Sequence, residues 1–453
     1  MVSAVLGAVA TPARAQQRTS PPRDSAAAVD SATRDSITAR LARAEAAIEL
    51  LRKQLAVEAT TVVRTRSRLQ VELSARILTN AFLTDGRVNN VDVPQFVLQP
   101  PPRSAPPGGG SPGTRVAGLT LRQSRVGAAL SVDSVFGANF ESDFELDFSG
   151  GVSLGPGDRR LFPEPRLRTA RAQLLWHRTT LMIGSDTPLI SDLNPISLAA
   201  VGTPEFAAAG NLWNWIPQVR VSRDVVTLSN SLRVALQGAV LSPFSGAQAV
   251  AETDAVDAGE RSGRPFLQGR VHVRWGRNSE RSGAASDAAI GESGGEIGIG
   301  VHRGWLRAAG DSLTTSRALS MDARVMLLPR VELRGEAYRG QLLRGLGGGA
   351  IGQSFGQTPE GARIGRPLRD AAGWVQLNVQ ATTTLVAGAG CGRDDVNADD
   401  APTRFRNDVC SAHLLWRPSQ PIVMGFSFRR FRTQYVDRSN RASQLNLSFG
   451  FEL

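Results

Sequence analysis

The feature of this chain that most constrains its fold is an alternation of apolar and polar residues with a period of two. In residues 138–148, "ANFESDFELDF", one parity holds the apolar side chains and Ser142, and the other holds Glu141, Asp143, Glu145 and Asp147. Successive side chains of a strand point to opposite faces, so the pattern predicts a strand with one apolar and one acidic face. In a soluble sandwich the apolar face would be the core, whereas in an outer-membrane barrel it would meet lipid and the acids would line a wet lumen.

The spacing of the alternating segments decides between these two folds. Odd-numbered connections include the longest ones, such as 83–116 and 187–216, and most even-numbered connections are tight turns, which is the asymmetry of an outer-membrane barrel. The even connection 277–294 is an exception. Sixteen strands are predicted: 71–82, 117–130, 136–148, 166–176, 179–186, 217–223, 231–241, 266–276, 295–305, 317–327, 330–341, 370–381, 383–392, 407–416, 421–432 and 442–453.

Charged residues on the polar face support the barrel. In "FLQGRVHVRWG", Leu267, Val271, Val273 and Trp275 share one face, and the opposite face carries polar and charged side chains. Burying such residues in a packed core is costly, whereas a water-filled lumen accommodates them. The predicted fold class is all-β: a 16-stranded antiparallel transmembrane β-barrel preceded by a short α-helical coiled coil.

The first 70 residues have a different character. Residues 1–15 contain an apolar stretch and the Ala13-Arg14-Ala15 cleavage pattern of a signal peptide, and residues 16–35 have the composition of a linker. In 36–60, apolar residues recur at alternating spacings of four and three, which predicts a periplasmic coiled coil, with a single amphipathic surface helix as the alternative. The transmembrane barrel would then cover 71–453. Export to an oxidising compartment permits a disulfide between Cys391 and Cys410, which face each other in a predicted hairpin.

The net charge of +11 comes almost entirely from arginine, because Lys53 is the only lysine. The arginines are spread along the chain instead of forming one patch, which argues against nucleic acid as a partner. We expect four arginines to pair with the acidic row of 138–148: Arg122, Arg125, Arg168 and Arg171. We expect five others to remain without an acidic partner and to favour anions in the pore: Arg220, Arg270, Arg274, Arg324 and Arg334.

Two stretches carry a resemblance to known proteins. The end of the chain, "QLNLSFGFEL", resembles the C-terminal signal of bacterial outer-membrane barrels, although Leu453 replaces the usual Phe or Trp. The order of signal peptide, coiled coil and sixteen strands, with "LTLRQSRVGAAL" at 119–130, resembles the trimeric dicarboxylate-specific porins and, more distantly, the phosphate-selective porins O and P. The resemblance implies a homotrimer and an anion-selective pore, with Arg122 or Arg125 in the lumen. Alternation places Leu119 and Leu121 outward but Val126 outward too, and a bulge between them would resolve this conflict.

The long connection 187–216 is unusually apolar for a solvent-exposed loop. In general porins the third loop folds inward, and we therefore expect this segment to narrow the channel. An extracellular cap or a subunit contact is the alternative interpretation.

The candidate chemical sites in the sequence are weak. His177, His272, His302 and His413 show no metal-ligand spacing, and the Gly310–Leu313 run "GDSL" lacks the accompanying blocks of its hydrolase family. We therefore expect no enzyme activity, no metal and no cofactor. The predicted function is a porin of the cell outer membrane, surrounded by membrane lipid, that passes small anionic solutes. The rival interpretations are a structural barrel anchored through its coiled coil, an outer-membrane enzyme, and a soluble β-rich binding protein.

Overall fold

A computed structural model describes residues 62–64, 69–100, 115–150, 163–228, 232–246, 256–276, 290, 294–307, 312–357, 364–400 and 403–453. The predicted signal peptide, linker and coiled coil lie outside these residues.

The described residues form a closed antiparallel barrel of sixteen strands, as the alternation predicts. We number these strands β1 to β16. The second is interrupted and consists of two segments. Their bounds are β1 Leu69–Asp85, β2 Arg115–Thr120 with Arg125–Val135, β3 Ala138–Gly150, β4 Glu164–Leu175, β5 Thr179–Asp186, β6 Ile216–Leu228, β7 Leu232–Leu241, β8 Phe266–Trp275, β9 Gly295–Arg307, β10 Leu313–Leu328, β11 Val331–Gln341, β12 Arg369–Gln380, β13 Leu385–Val396, β14 Arg404–Trp416, β15 Ile422–Tyr435 and β16 Ser439–Glu452.

The barrel closes by pairing of its first and last strands. Arg76 of β1 is opposite Glu452 of β16, and this ladder continues to Asp85 opposite Ser443. β1 begins before the residues that pair with β16. These first residues pair with β2 and with the short strand Val62–Arg64. Each of the sixteen strands has a partner on both sides, although the segment Arg115–Thr120 pairs with β1 alone, so the sheet closes on itself.

Two irregularities change which side chains point inward. The interruption of β2 is a turn in which the Ser124 N–H donates to the Leu121 carbonyl at 3.0 Å. It brings both Arg122 and Arg125 to the inner face, where they are 7% and 8% exposed. In β4 the register to β3 shifts at Arg168, so that this residue is an extra one in its strand. The shift allows arginines of opposite parity, Arg168 and Arg171, to face the same side.

The two faces of the wall have the inverted polarity of a membrane barrel. Polar inner-face residues such as Gln268, His272 and Glu332 are at most 5% exposed, whereas Ile299 and Leu447 on the outer face are 51% and 58% exposed. The apolar residues of most strands therefore point away from the barrel axis. Residues 138–148 follow this arrangement: Asp147 is fully buried on the inner face, and Phe144 is 45% exposed on the outer face.

Helical structure among the described residues is confined to single turns in the loops: two 3₁₀ turns, Glu260–Ser262 and Arg344–Leu346, and the irregular turn Gly349–Gly352. A small hairpin, Phe355–Gln357 with Ile364–Pro367, lies in the same long connection as the last two turns. No helix in the described part of the chain has the length and apolarity needed to cross a membrane.

Candidate functional site: the barrel lumen

One side of the lumen wall, formed by β2 to β4, carries a ladder of ion pairs. Asp143 is 2.9 Å from Arg171 across the β3–β4 pairing. Glu145 is 2.8 Å from Arg168 and 3.5 Å from Arg125. Each acid of the period-two row that points deep into the barrel therefore has an arginine on the neighbouring strand. Such cross-strand pairs of opposite charge stabilise the sheet.

A second group of charges lies across the barrel, on β8 to β11. Glu296 is its centre: its carboxylate lies 2.8 Å from Arg324, 3.2 Å from His272 and 3.8 Å from Arg274. Arg270 makes two hydrogen bonds to Asp322, of 2.5 and 2.8 Å, although the two residues lie two strands apart.

The long reach of Arg270 is possible because β9 has a glycine between these two residues. A Cβ atom at Gly298 would lie 2.2 Å from the Arg270 guanidinium. The inward positions Gly298, Gly300 and Gly304 leave room for side chains from neighbouring elements. The three glycines of "GIGVHRG" all fall on the inward-facing parity of the strand. This pattern is therefore a sequence signal for close packing inside the barrel.

All nine arginines predicted to line the pore lie on the inner face, and each has an acidic partner. Arg125, Arg168 and Arg171 pair with the acidic row as expected. For Arg122 the expectation is wrong, because its ion pair, at 2.9 Å, is with Asp92 from the inward-folded part of the first long connection. The expectation that the other five lack acidic partners is wrong, because pairing across the lumen wall satisfies them as well. Their pairs are Arg220–Asp186, Arg270–Asp322, Arg274–Glu296, Arg324–Glu296 and Arg334–Glu332.

The connection 187–216 lies inside the barrel and is held by hydrogen bonds from strands around its circumference. The Ile190 N–H donates to Gln268 of β8, and the Leu198 carbonyl accepts a hydrogen bond from Asn80 of β1 at 2.8 Å. Arg125 and Arg168 both donate to the Val201 carbonyl, at 2.7 and 2.6 Å. On the remaining side, the Glu205 and Ala208 carbonyls accept from Arg429 of β15 and Asn407 of β14.

Apolar side chains of this connection form the interior packing that the wall itself lacks. Leu189, Ile190, Ile196, Phe206 and Leu212 are all 0% exposed. Phe206 stacks on Trp374 of β12 with a centroid distance of 5.7 Å. The apolar residues that made this connection unusual in the sequence are therefore buried against the inner wall. Parts of the connections after β1 and β11 also fold inward, since Thr433 accepts from the Val97 N–H and Asp370 from the Ala350 N–H.

Between this connection and the short-turn end of the barrel lies a cavity of about 480 Å³ with a lining of mixed charge. Its acidic residues are Glu141, Asp143, Asp186, Asp192 and Asp224, and its arginines are Arg171, Arg178, Arg220, Arg233 and Arg274. The two charges are equally represented, so the cavity does not have the excess of arginine expected for a strong anion filter.

Two carboxylates of the connection itself have shifted pKa values. Burial opposes ionisation of Asp192, but Arg270, Arg220 and His272 together hold its pKa below the usual range. Burial raises the pKa of Glu205, and the nearby Arg429 only partly offsets this effect. At neutral pH Asp192 therefore contributes a negative charge to the cavity, which offsets part of the positive charge of the wall.

The sequence analysis missed several residues that hold the lumen together. Arg429, which is fully buried, bonds to the carbonyls of Pro94 and Glu205 and so joins two inward connections to β15. Gln123, in the interruption of β2, accepts from the N–H groups of both Val201 and Gly202. The alternation in "FSFRRFRT" places Arg429 on the inner face with Ser427. The role of Gln123 has no comparable signal because it depends on a broken strand.

Cys391 and Cys410 form a disulfide between β13 and β14. They are directly opposite each other in the register, and the pairing continues beyond them to Asp395 opposite Arg406. Both cysteines are exposed on the outer face of the wall, so the bridge links two strands and does not close the loop tip. In the described part of the chain no group of three His, Cys, Asp or Glu residues is arranged to hold a metal ion.

No protein-family model matches this sequence, and no curated protein matches it. Solved structures share its fold. The outer membrane channel DcaP of Acinetobacter baumannii superimposes with a TM-score of 0.61 at 12% identity, covering 86% of this chain and 99% of that one. Salmonella typhi OmpF, in complex with daunomycin, gives 0.54 at 7% identity over 86% and 100% of the two chains. An anion-selective porin from Comamonas acidovorans gives 0.50 at 12% identity over 85% and 100%. At these identities the similarity establishes the barrel fold alone.

Proposed function

We propose that this chain is an outer-membrane porin through which small solutes, anions among them, diffuse passively. The observation that carries the proposal is the inverted wall, apolar outside and charged inside, around a cavity that opens between ionised side chains. Passive diffusion needs no catalytic group and no cofactor. The barrel folds of DcaP and the Comamonas porin support the assignment, because these two proteins of the same architecture are named as an outer membrane channel and a porin.

The proposal includes the parts of the chain outside the described residues. Residues 1–15 would direct export, 16–35 would be a linker, and 36–60 would form a periplasmic coiled coil that supports a homotrimer. The heptad spacing of 36–60 supports the coiled coil, and the resemblance to the dicarboxylate-specific porins supports the trimer. Sizing the protein in neutral detergent, with and without 36–60, tests both: loss of the trimer on deletion is expected.

We propose that the connection 187–216 constricts the channel. Its backbone is anchored to the wall by side chains such as Gln376, which accepts from the Ile196 N–H at 2.7 Å and donates to the Ile196 carbonyl at 3.0 Å. Replacing 192–208 by a short Gly-Ser linker should therefore increase single-channel conductance severalfold. Gln376→Ala should give a smaller increase or more frequent transitions between conductance levels.

The proposal also covers the selectivity of the channel between anions and cations. Because each of the nine lumen arginines lies within 4 Å of an acid, we propose a weak preference for anions and not a strict filter. The test is the reversal potential in planar bilayers under a salt gradient. We expect a potential of anion-selective sign that is well below the ideal value for chloride. A potential of cation-selective sign would show that the acids, and not the arginines, determine the ion selectivity of the lumen.

One observation favours a second function. The connection 187–216 bonds to strands from β1 to β15, and inward parts of two other connections fill space beside it. A barrel filled in this way could serve as a structural anchor without transport. Absence of single-channel conductance in protein that is folded and inserted, both before and after the replacement of 192–208, would favour the anchor and overturn the porin.

A further inference from the structure

Two buried acids of the inner wall differ from the others in having no arginine. Asp147, Asp186 and Asp322 each lie within 4.0 Å of a guanidinium group. Asp370 and Asp394, at the long-connection ends of β12 and β13, are 3% and 0% exposed, and among the described residues neither makes an ion pair. The fold therefore buries these two carboxyl groups without supplying a counter-charge.

Asp370 and Asp394 are neighbours on the inner face of the wall. In the pairing of β12 with β13, Asp370 is opposite Val396 and Asp394 is opposite Ala372, so the two acids are diagonal neighbours. Side chains in this relation are within reach of each other. One oxygen of each group, Asp370 Oδ1 and Asp394 Oδ1, is buried and has no hydrogen-bond partner. Ionising both groups would place two negative charges together away from solvent, which is unfavourable.

The other oxygen of each acid holds the inward turn Gly349–Gly352 of the connection after β11. The Ala350 N–H donates to Asp370 Oδ2 at 2.9 Å, and the Ile351 N–H donates to Asp394 Oδ2 at 3.0 Å. Both turn residues have left-handed backbone, with φ values of 50° and 55°. This conformation is unfavourable for residues with a Cβ atom, above all for a β-branched one. The turn therefore depends on its contacts with the wall to keep its shape.

The turn also supports the connection 187–216. Ala350 and Ile351 are fully buried and pack in one apolar cluster with Ala208. At Gly348, just before the turn, the backbone lies so close to the Ala207 carbonyl oxygen that a Cβ atom would have no room. Moving the turn away from the wall would therefore widen the long-connection mouth of the lumen and remove a contact of the connection 187–216.

The charged groups around the two acids do not neutralise them. The titratable or charged groups on the surrounding elements are Glu336 and Tyr338 of β11, Arg369 of β12, Asp395 of β13, Arg404 of β14, Tyr435 of β15, and Arg344 and Asp400 of the adjoining connections. Arg369 is bound to Asp400 at 2.6 Å, and Arg404 donates to the Ile351 carbonyl at 3.2 Å. None of the three arginines makes an ion pair with Asp370 or Asp394. The Tyr338 hydroxyl lies 3.5 Å from Asp394 Oδ2 as a neutral donor.

We propose that Asp370 and Asp394 form a proton-binding site that holds the turn Gly349–Gly352 inside the lumen, and that loss of the proton releases the turn and opens the mouth. With the turn docked, the pair keeps a proton because two buried charges would repel each other. With the turn released, water reaches both acids, and each ionises above about pH 4, as aspartate ordinarily does. The inference rests on the proposed function, because opening the mouth matters only in a channel.

The sign of the pH dependence follows from this difference in bound protons. Above about pH 4 the docked state holds one proton more than the released state. Docking is therefore most stable in acid, and it weakens as the pH rises. Each further unit of pH lowers the ratio of docked to released turn by up to about tenfold, until the docked pair itself loses its proton.

Hydrogen exchange of the full chain in neutral detergent, followed by mass spectrometry, measures the docking directly. The protection of peptides within 343–357, corrected for the intrinsic exchange rate, is compared between about pH 5 and about pH 9. In the wild type we expect protection to fall by up to about tenfold per pH unit. The test variant, Asp370→Asn with Asp394→Asn, keeps an acceptor oxygen for each N–H but cannot ionise, so its protection should not depend on pH.

A matched control and a second variant make the result decisive. Asp133→Asn with Glu164→Gln changes the net charge equally at two exposed positions and should keep the pH dependence of the wild type. Ala350→Gly relieves the unfavourable backbone of the docked turn, so its transition should move to higher pH. If the test variant does not fold, an unchanged transition in Ala350→Gly would still overturn the proposal. The same pH dependence in the test variant as in the wild type would overturn it as well.

Single-channel recording in planar bilayers connects the turn to transport. We expect the wild type to spend more time at a higher conductance level as the pH rises, and the test variant to stay at the lower level. If exchange shows the transition while folded and inserted protein does not conduct, the proton site stands and the porin fails. If the protein conducts and neither exchange nor conductance shows a transition that depends on the two acids, the inference fails while the porin stands.

Discussion

The two faces of the barrel wall treat the same residue type in opposite ways. On the lumen face, Arg270 and Arg334 are 3% and 1% exposed, and each contacts a carboxylate. On the outer face, Arg317 and Arg441 are exposed and have an arginine opposite them. A buried guanidinium needs a counter-charge within the fold because desolvation is costly, whereas an exposed one can use solvent or an external anion.

This difference changes the meaning of the net charge of +11. The composition suggests an arginine-rich pore, but in the lumen the acids of the wall and of the connection 187–216 offset the arginines. Among the described residues, Arg317 and Arg441 on the outer face are arginines without an ion pair to an acidic side chain. The net positive charge is therefore available to anions outside the barrel at least as much as to solutes in its lumen.

The largest effect on the free energy of unfolding should come from removing one member of an ion pair in the lumen. Asp322→Ala removes the carboxylate that makes two hydrogen bonds to Arg270 and leaves a buried cation without its partner. We expect a loss of about 3–5 kcal/mol in the free energy of unfolding. Urea unfolding of refolded protein in detergent or lipid measures it. The double variant Asp322→Ala, Arg270→Met is the control, and it should recover part of the loss. A loss below about 1 kcal/mol in the single variant would mean that Asp192 and solvent, and not Asp322, neutralise Arg270.

The next prediction concerns the disulfide on the outer face of the same wall. Cys391 and Cys410 are 19 residues apart, and closing a loop of this length in the unfolded chain corresponds to about 3 kcal/mol. The variant Cys391→Ser, Cys410→Ser should lose about this amount of stability and keep the conductance of the wild type. Wild type under reducing conditions should behave like the variant. A change in conductance would show that the β13–β14 bridge also shapes the lumen.

The alternation with period two predicted the barrel well because it follows directly from strand geometry. It places all sixteen strands, and it assigns Glu332 and Arg334 to one face and Val331 to the other. The conflicting phases of Leu121 and Val126 predicted an irregularity in β2, but the alternation could not show that it is a turn that brings both Arg122 and Arg125 inside. It also could not pair Arg270 with Asp322, because that contact depends on register across three strands and on the space above Gly298.

The packing of the connection 187–216 against the wall should be sensitive to a single methyl group. A Cβ atom at Gly392, on the inner face of β13, would lie 2.1 Å from the Ala209 carbonyl oxygen. Gly392→Ala should therefore shift the connection and reduce the free energy of unfolding by about 1–3 kcal/mol, as overpacking does. Gly238→Ala on β7 is the control, since nothing lies within 4 Å of its added Cβ. If both variants have the stability of the wild type, the connection moves freely at this contact.

The smallest effect on stability should come from the exposed pair of Arg432 and Arg441 on the outer face. Arg432→Gln removes one member of an arginine pair, so repulsion from Arg441 is relieved while the hydrogen bond to Ser439 is lost. Exposed substitutions of this kind change the free energy of unfolding by no more than about 0.5 kcal/mol, so urea unfolding in neutral detergent should not distinguish the variant from the wild type. Destabilisation of the variant would mean that Arg432 has a structural partner within the chain, and the contrast between the two faces would disappear at this position.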